Sequence, residues 1–541
     1  MTTRALTASS LAALSALAVT LSCASVPSGG ATASGSSADA LVLVDRALAA
    51  QGGAAAVGAL RAVALTGTET YSEPEQSFQP GGPARPGGEA SFTLTRDLAA
   101  GTARVEWVKR LVYPGPREYR YTELVSPTAG AVLGVDSSAR TKRDLDANPP
   151  RHAMSGVRLA ATQRELLRSS PRLLLAARAD PSRLARVPDV EVGGVKLPAI
   201  TWRAGEVSFT VLFDPRSGLP ARVRTLDADN VHGDSSYDLV LSDWRDVGGV
   251  KLPYAQRYEL SGMEIVRIRI DEASTAAPAR EAFELPADLV AGAPRPATGG
   301  VPYQWILRRG YLGLYLDSDA IYFDPQASPG LALLELAPGV AHQVGGTHNA
   351  LVVELADALV VVDAPIDEGQ ARWTLEAARL RFPGKPVRWL VLSHHHMDHV
   401  GGLRTYIAEG ATLVVGAGAG PHFRRALAAP DRLSGGTLAA HPRAPAIVEV
   451  SERMVLGAGA RTVEVYPLEN PHAQAMLLPY VPHARLGFVA DLWSPGREKL
   501  GETLNPGQAA LVAAVRKAGI SPARFAGGHG GSGDYAPLAR E

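Results

Sequence analysis

The sequence predicts two domains of unlike architecture. A mainly antiparallel β domain with a few helices (α+β) is expected over 39–290, and an α/β domain over 330–541. Three observations carry this. Between Val63 and Leu285 the chain is a series of short alternating runs separated by turn residues, the period of half-buried strands. "PADLVAGAPRPATGG" at 286–300 is rich in Pro, Gly and Ala and marks a boundary. After residue 330, apolar strands alternate with an amphipathic helix, the grammar of a layered α/β unit. A chain of 541 residues suits two or three domains, and 46% hydrophobic with 20% charged residues fits a folded protein.

Taken in order, the chain opens with Arg4, an apolar run from Leu11 to Leu21, and then Cys23, the only cysteine. The run is too short to span a bilayer as a mature helix and reads as an export signal over 1–23. A lone cysteine at its end resembles the lipobox of bacterial lipoproteins, with Thr20 standing where that pattern has Leu. An acylated Cys23 attached to a membrane is therefore expected, in the periplasm or outer membrane. An ordinary cleaved signal is the alternative. No intrachain disulfide can form. A Ser/Gly/Ala-rich tail occupies 24–38.

Residues 39–62 read as a helix broken near Gly52-Gly53. Strands follow, among them "VALTGTETY", "ARVEWVKRLVY" and "EVSFTVLFD". "VGGVKLP" occurs at 192–198 and again at 247–253, each copy placing Gly-Gly where a hairpin turn belongs. One helical interruption is expected near 160–185. The strand-and-turn style of 40–290 resembles the curved half-barrel of periplasmic lipoprotein carriers; a spacer or lid is the other reading. Residues 291–329 are taken as linker and connecting strands.

In the α/β domain, "HNALVVELADALVVVDAP" gives two strands, 367–382 a helix, and "VRWLVL" (387–392) a buried strand. That strand runs into "SHHHMDHVGG". In an extended exit loop alternate side chains face one way, so His394 and His396 point together and His395 away. Asp398 and His399 come from the following turn. Imidazole and carboxylate are zinc ligands beside thiolate, which this chain does not offer. Downstream, His472, Asp491 and His529 share the setting of strand end followed by loop. His422 and His441 read as surface residues, His483 as a turn residue, and His348 as a hydrogen-bonded histidine near the pocket.

"SHHHMDH", His472, "VADLW" and "GGHG" together resemble the metallo-β-lactamase superfamily, over about 330–541. The resemblance implies an αββα sandwich with two zinc ions, iron being the alternative. It places His394, His396 and His472 on the first ion, Asp398, His399 and His529 on the second, and Asp491 between them. It makes Asp363 a support for the metal loop. Ser393 and Ala490 replace the family's usual Thr and Gly; both are small. The lactamase subclass with a cysteine ligand is excluded, and Asp491 argues against the cysteine-free lactamases. The implied activity is an exported dinuclear hydrolase that uses a metal-bound hydroxide on a small ester, lactone, thioester or amide, with Asp398 as the catalytic carboxylate. Tyr480 or Tyr406 is a candidate oxyanion donor. The alternatives are an iron-dependent oxidative enzyme of the same fold, and a ligand-binding envelope protein with a vestigial site. Lysine plus arginine equal aspartate plus glutamate at 54 each, so no basic excess points to nucleic acid.

Overall fold

The computed structural model describes residues 36–113, 115–137, 149–291, 303–313, 316–317 and 330–539. The expected export signal with Cys23, most of the tail and much of 291–329 lie outside the described residues. Residues 33–541 form one compact unit, so contacts between its two regions can be read directly.

The helix Ser37–Gln51 starts at Ser36, whose hydroxyl takes the Asp39 N–H while the Asp39 carboxylate takes the Ser36 N–H. Gly52 and Gly53, at φ 128° and 97°, break it before the helix Ala54–Ala59. The expected interruption is therefore where the sequence put it.

One antiparallel sheet follows. Its first six strands are β1 (Ala62–Glu73), β2 (Arg85–Asp97), β3 (Thr102–Leu111), β4 (Arg117–Val125), β5 (Gly130–Val135) and β6 (Arg151–Ala153). The next seven are β7 (Leu184–Val192), β8 (Val195–Ala204), β9 (Val207–Phe213), β10 (Pro220–Asp229), β11 (Gly233–Val247), β12 (Val250–Leu260) and β13 (Met263–Ser274). The order β6-β5-β4-β3-β2-β1-β13-β12-β11-β10-β9-β8-β7 is two meanders joined where β13 returns beside β1. Both "VGGVKLP" copies make the expected hairpins. Gly193-Gly194 and Gly248-Gly249 all have positive φ, which a two-residue turn matching the strand twist requires.

Two helices, Gly156–Arg168 and Leu173–Ala179, carry the chain between the edge strands β6 and β7, in place of the single interruption expected. Residues 303–311 form a further helix, which corrects the reading of 291–329 as linker and strands. Trp305 and Ile306 are buried, and Ile306 joins the aromatic core of Tyr71, Tyr237 and Tyr258. Arg308 and Arg309, on the same helix, are buried as well.

The C-terminal region is a four-layer sandwich. The first sheet has the order β14 (Ala332–Ala337), β15 (Val340–Val344), β16 (Ala350–Glu354), β17 (Leu359–Val362), β18 (Val387–Val391), β19 (Thr412–Gly416) and β20 (Ile447–Val450), and from β17 onward it is parallel. The second contains β21 (Met454–Ala458), β22 (Arg461–Leu468), β23 (Met476–Val481), β24 (Leu486–Val489), β25 (Arg524–Gly527) and β26 (Ser532–Asp534). Strand alternation divides the core. Val360 and Val362 pack toward Val463, Val465 and Phe488 of the second sheet. Leu359 and Val361 face the other way, toward Leu375 of the helix Glu368–Arg381 and Leu403 of the helix Leu403–Glu409. Leu511 and Val515, from the helix Pro506–Ala518, close the far side.

The antiparallel region is docked on this sandwich by its β10–β11 turn. Asn230 Nδ2 donates to the Ile366 carbonyl at 2.8 Å, and the Asp234 N–H to the Pro430 carbonyl at 2.6 Å. Arg404, fully buried, donates back to the Val231 carbonyl at 3.1 Å.

Candidate metal centre

The seven residues read as ligands come together at the strand ends of the sandwich. β18 ends at Val391, and the chain passes through Ser393–His396 into the single turn Met397–Val400. The Asp363 carboxylate, just after β17, organises that loop. It accepts from the Ser393 N–H at 2.6 Å, the Ser393 hydroxyl at 2.8 Å and His399 Nδ1 at 3.0 Å. Asp363 and Asp491 both have left-handed backbone, at φ 63° and 57°. Aspartate tolerates that region better than most residues, and strain of this kind persists where the surroundings over-determine it.

Asp491 lies at the focus. One of its oxygens, Oδ2, stands 3.0 Å from His394 Nε2, 3.1 Å from His399 Nε2 and 3.1 Å from His472 Nε2. The other, Oδ1, stands 2.6 Å from His529 Nε2. His396 Nδ1 faces His472 Nε2 at 3.0 Å. The donor atoms of His394, His396, His472 and Asp491 all lie within 4.8 Å of one another, as do those of His348, Asp398, His399 and His529.

The remaining ring nitrogens fix which atom of each histidine points inward. His399 Nδ1 donates to Asp363, His396 Nε2 to the Ser77 carbonyl at 2.9 Å, and His529 Nδ1 to the Thr347 carbonyl at 3.2 Å. That leaves lone pairs on His399 Nε2, His396 Nδ1 and His529 Nε2 aimed at the focus, the orienting arrangement of metal-binding histidines. His394 Nε2 and His399 Nε2 are buried and have no hydrogen-bond partner despite their short approach to Asp491. Orphaned buried acceptors are costly unless something else engages them, so the donor set fits divalent cations.

The electrostatics differ between the two halves of the site. Burial pushes the His394 imidazole down to about 4 and His396 well below its ordinary value, so both are neutral at neutral pH. Burial alone would raise Asp491, but His399 and His529 outweigh it and hold the carboxyl well below the usual range. Burial alone would lower His399; the Asp491 and Asp363 carboxylates instead hold it well above, so without an ion its Nε2 keeps a proton, and a bound cation would take that proton's place between His399 and Asp491.

Several sequence expectations change. His395 points away from the focus as the alternation implies, and there it is buried, donating from Nε2 to the Ser77 carbonyl at 2.9 Å. His422 is also buried rather than at the surface, its ring 6.1 Å from that of His395. Its helix, Gly420–Ala428, turns the imidazole inward together with Phe423. His441 and His483 are exposed, as expected. His348 enters the second cluster, with Nε2 2.9 Å from Asp398 Oδ2. Neither tyrosine serves the site. Tyr406 is packed among Leu375 and Leu403, and Tyr480 lies on β23 with its hydroxyl at the Ser521 backbone.

The residues missed belong to the antiparallel region. Gln76 Nε2 donates to Asp398 Oδ1 at 2.7 Å, and Gln76 Oε1 accepts from the Tyr113 hydroxyl. Arg85 Nη2 donates to the His472 carbonyl at 2.7 Å. The one signal in the sequence is the length of the β1–β2 connection, "PEQSFQPGGPA", well beyond a tight hairpin turn.

Residues 344–533 match the metallo-beta-lactamase superfamily. No curated protein matches the chain. Among solved structures, a metallo-beta-lactamase from Pontibacter korlensis is similar at 17% identity and TM-score 0.30, over 39% of this chain and 95% of that one. The mono-zinc form of the lactamase FIM-1 from Pseudomonas aeruginosa is similar at 18% identity and TM-score 0.29, over 39% and 92%. A metal-soaked flavodiiron core from Synechocystis sp. is similar at 15% identity and TM-score 0.31, over 39% of this chain; the match spans 59% of that protein's length.

Proposed function

From a C-terminal region that has the metallo-beta-lactamase fold, we propose that this protein is a dinuclear metal hydrolase acting on a small ester, lactone, thioester or amide. The observation that carries the reading is the convergence of seven ligand-type side chains on one point, with two buried ring nitrogens left unpartnered. His394, His396 and His472 would hold one ion, Asp398, His399 and His529 the other, with Asp491 between them. Bound divalent cations supply Lewis acidity, which polarises a carbonyl and acidifies water.

The chain's own residues do the rest. The Asp363 carboxylate and the Ser77 and Thr347 carbonyls hold His399, His396 and His529 in a single tautomer, so no reorganisation is needed when ligands bind. Asp398 is fixed at both oxygens, by Gln76 and by His348, and its carboxyl is held well below the usual range although burial opposes this. It therefore stays ionised at neutral pH, the state that a ligand carboxylate or a proton acceptor in this reading requires. The resemblance to lipobox sequences adds export and a lipid anchor at Cys23 to the proposal.

Metal content tests the reading. Protein purified without added metal should carry about two zinc ions per chain. Iron in place of zinc would move the assignment to oxidative chemistry, and a chain that takes up no metal even when zinc is supplied would overturn it. Asp491→Ala should lose both metal retention and hydrolysis of an ester, lactone and thioester panel; full activity in that variant would sink the bridged site.

A further inference from the structure

The β1–β2 connection belongs by sequence to the antiparallel region, yet it ends inside the metal cluster. It touches three of the seven ligand residues: Asp398 through Gln76, His396 through the Ser77 carbonyl, and His472 through Arg85. The Phe78 carbonyl also accepts from the Gln474 N–H at 2.7 Å, beside the His472 loop. Gln76 and Ser77 are buried.

The hydrogen-bond polarity here is determined. A tyrosine hydroxyl against a glutamine oxygen leaves that amide's N–H₂ facing Asp398, where only a donor is acceptable. Turning the amide over would place its oxygen against a carboxylate. Tyr113 lies just beyond β3 and Gln76 just beyond β1, so the orientation of Asp398 is set by two strands of the other sheet. The Ser77 carbonyl, by taking the His396 Nε2 proton, leaves Nδ1 free toward His472.

We propose that residues 74–85 are the outer layer of the metal centre: Gln76, held by Tyr113, positions Asp398 for the second ion, and the Ser77 carbonyl fixes the His396 tautomer for the first. The inference rests on the two-ion reading. It makes metal loading and docking of the antiparallel region one coupled event. Partners of metal ligands typically change affinity 10- to 100-fold when removed.

The test is a cobalt(II) titration of the full chain after chelation, read by equilibrium dialysis and by the visible absorption of each bound ion. Gln76→Met keeps the length of the side chain and removes the donor. It should weaken the second cobalt about 10- to 100-fold and leave the first within about twofold. Tyr113→Phe should move the second ion in the same direction by about fivefold, the size of one hydrogen bond. Thermal unfolding of the metal-free variants separates a site effect from failure to fold, and Tyr113→Phe, which keeps its ring, serves where Gln76→Met does not fold. Two cobalt ions bound as in the unaltered chain by both variants would overturn the proposal, and so would equal weakening of both ions. An unaltered chain that binds fewer than two ions overturns the metal reading and this inference with it.

Discussion

The two regions bury charge to opposite ends. In the sandwich, β17 and β24 are apolar and buried throughout; the imidazole and carboxylate groups gather past the strand ends, and two ring nitrogens of the seven ligand residues, on His394 and His399, are left without a hydrogen-bond partner. In the antiparallel region, buried charged groups sit within the body of the fold, and two clusters of them are built around arginines. Arg308 meets Glu73, Glu75 and Asp229, and Arg158 meets Glu123, Asp136 and Asp317. Two further groups with metal-like spacing occur there, Glu75–Asp229–His232 and Asp136–His152–Asp317. Each already contains an arginine where an ion would sit: Arg308 Nη2 is 2.9 Å from Glu75, and Arg158 Nη1 is 2.6 Å from both Asp136 and Asp317. Proximity of carboxylate and imidazole is thus a poor sign of a metal site; whether a guanidinium already stands among the acidic groups is a better one.

The largest effect expected from this contrast is at Arg308. Arg308→Met removes the guanidinium that faces three buried acidic side chains and should cost about 3–5 kcal/mol of unfolding free energy. Denaturant titration of metal-free protein measures it. A loss under about 1 kcal/mol would mean that water reaches the cluster, and the contrast between paired and unpaired burial would fail.

The same contrast explains what could be read in advance. The metal loop was legible because its ligands fall within six residues, His394–His399, behind a strand whose β-branched run marks it as buried. His472, Asp491 and His529 were legible because each follows a short apolar run. Gln76 and Tyr113 were not, since their roles depend on docking between distant segments: Gln76 and Asp398 are 322 residues apart. The helix 303–311 was lost for a related reason, because the partners that allow Arg308 to be buried are Glu73 and Asp229, far away in sequence. His422 was misplaced because a Gly-Pro start suggests a surface loop, and nothing local shows that the following helix turns His422 toward His395.

A second variant sharpens the sandwich side. Asp363→Asn preserves volume but replaces a carboxylate that accepts three hydrogen bonds with an amide that also donates. One of the three donors is left facing another donor, a cost of about 1–3 kcal/mol. Because His399 loses its orienting acceptor, metal affinity should fall about 10- to 100-fold as well. Unfolding of the metal-free form and a zinc competition assay read the two effects separately. A stability loss without a change in affinity would make Asp363 a support of the fold alone.

The last effect, confined to one interval of pH, tests whether paired burial in the antiparallel region is complete. Glu69 is buried on β1 with Oε1 unpartnered, and Lys109 on β3 is its nearest counter-charge. Burial pushes the Glu69 carboxyl up to about 7; Lys109 opposes the shift and Glu123 adds to it. A carboxyl raised in the folded state holds a proton there that the unfolded chain has already released. Stability is therefore full below about 4.5, falls as pH rises through the interval to about 7, and is lower by up to about 3 kcal/mol above it. Glu69→Gln cannot ionise, so its unfolding free energy should change less between pH 5 and pH 8 than that of the unaltered chain, whatever its absolute value. Parallel pH profiles for the two would mean that Lys109 neutralises Glu69 fully.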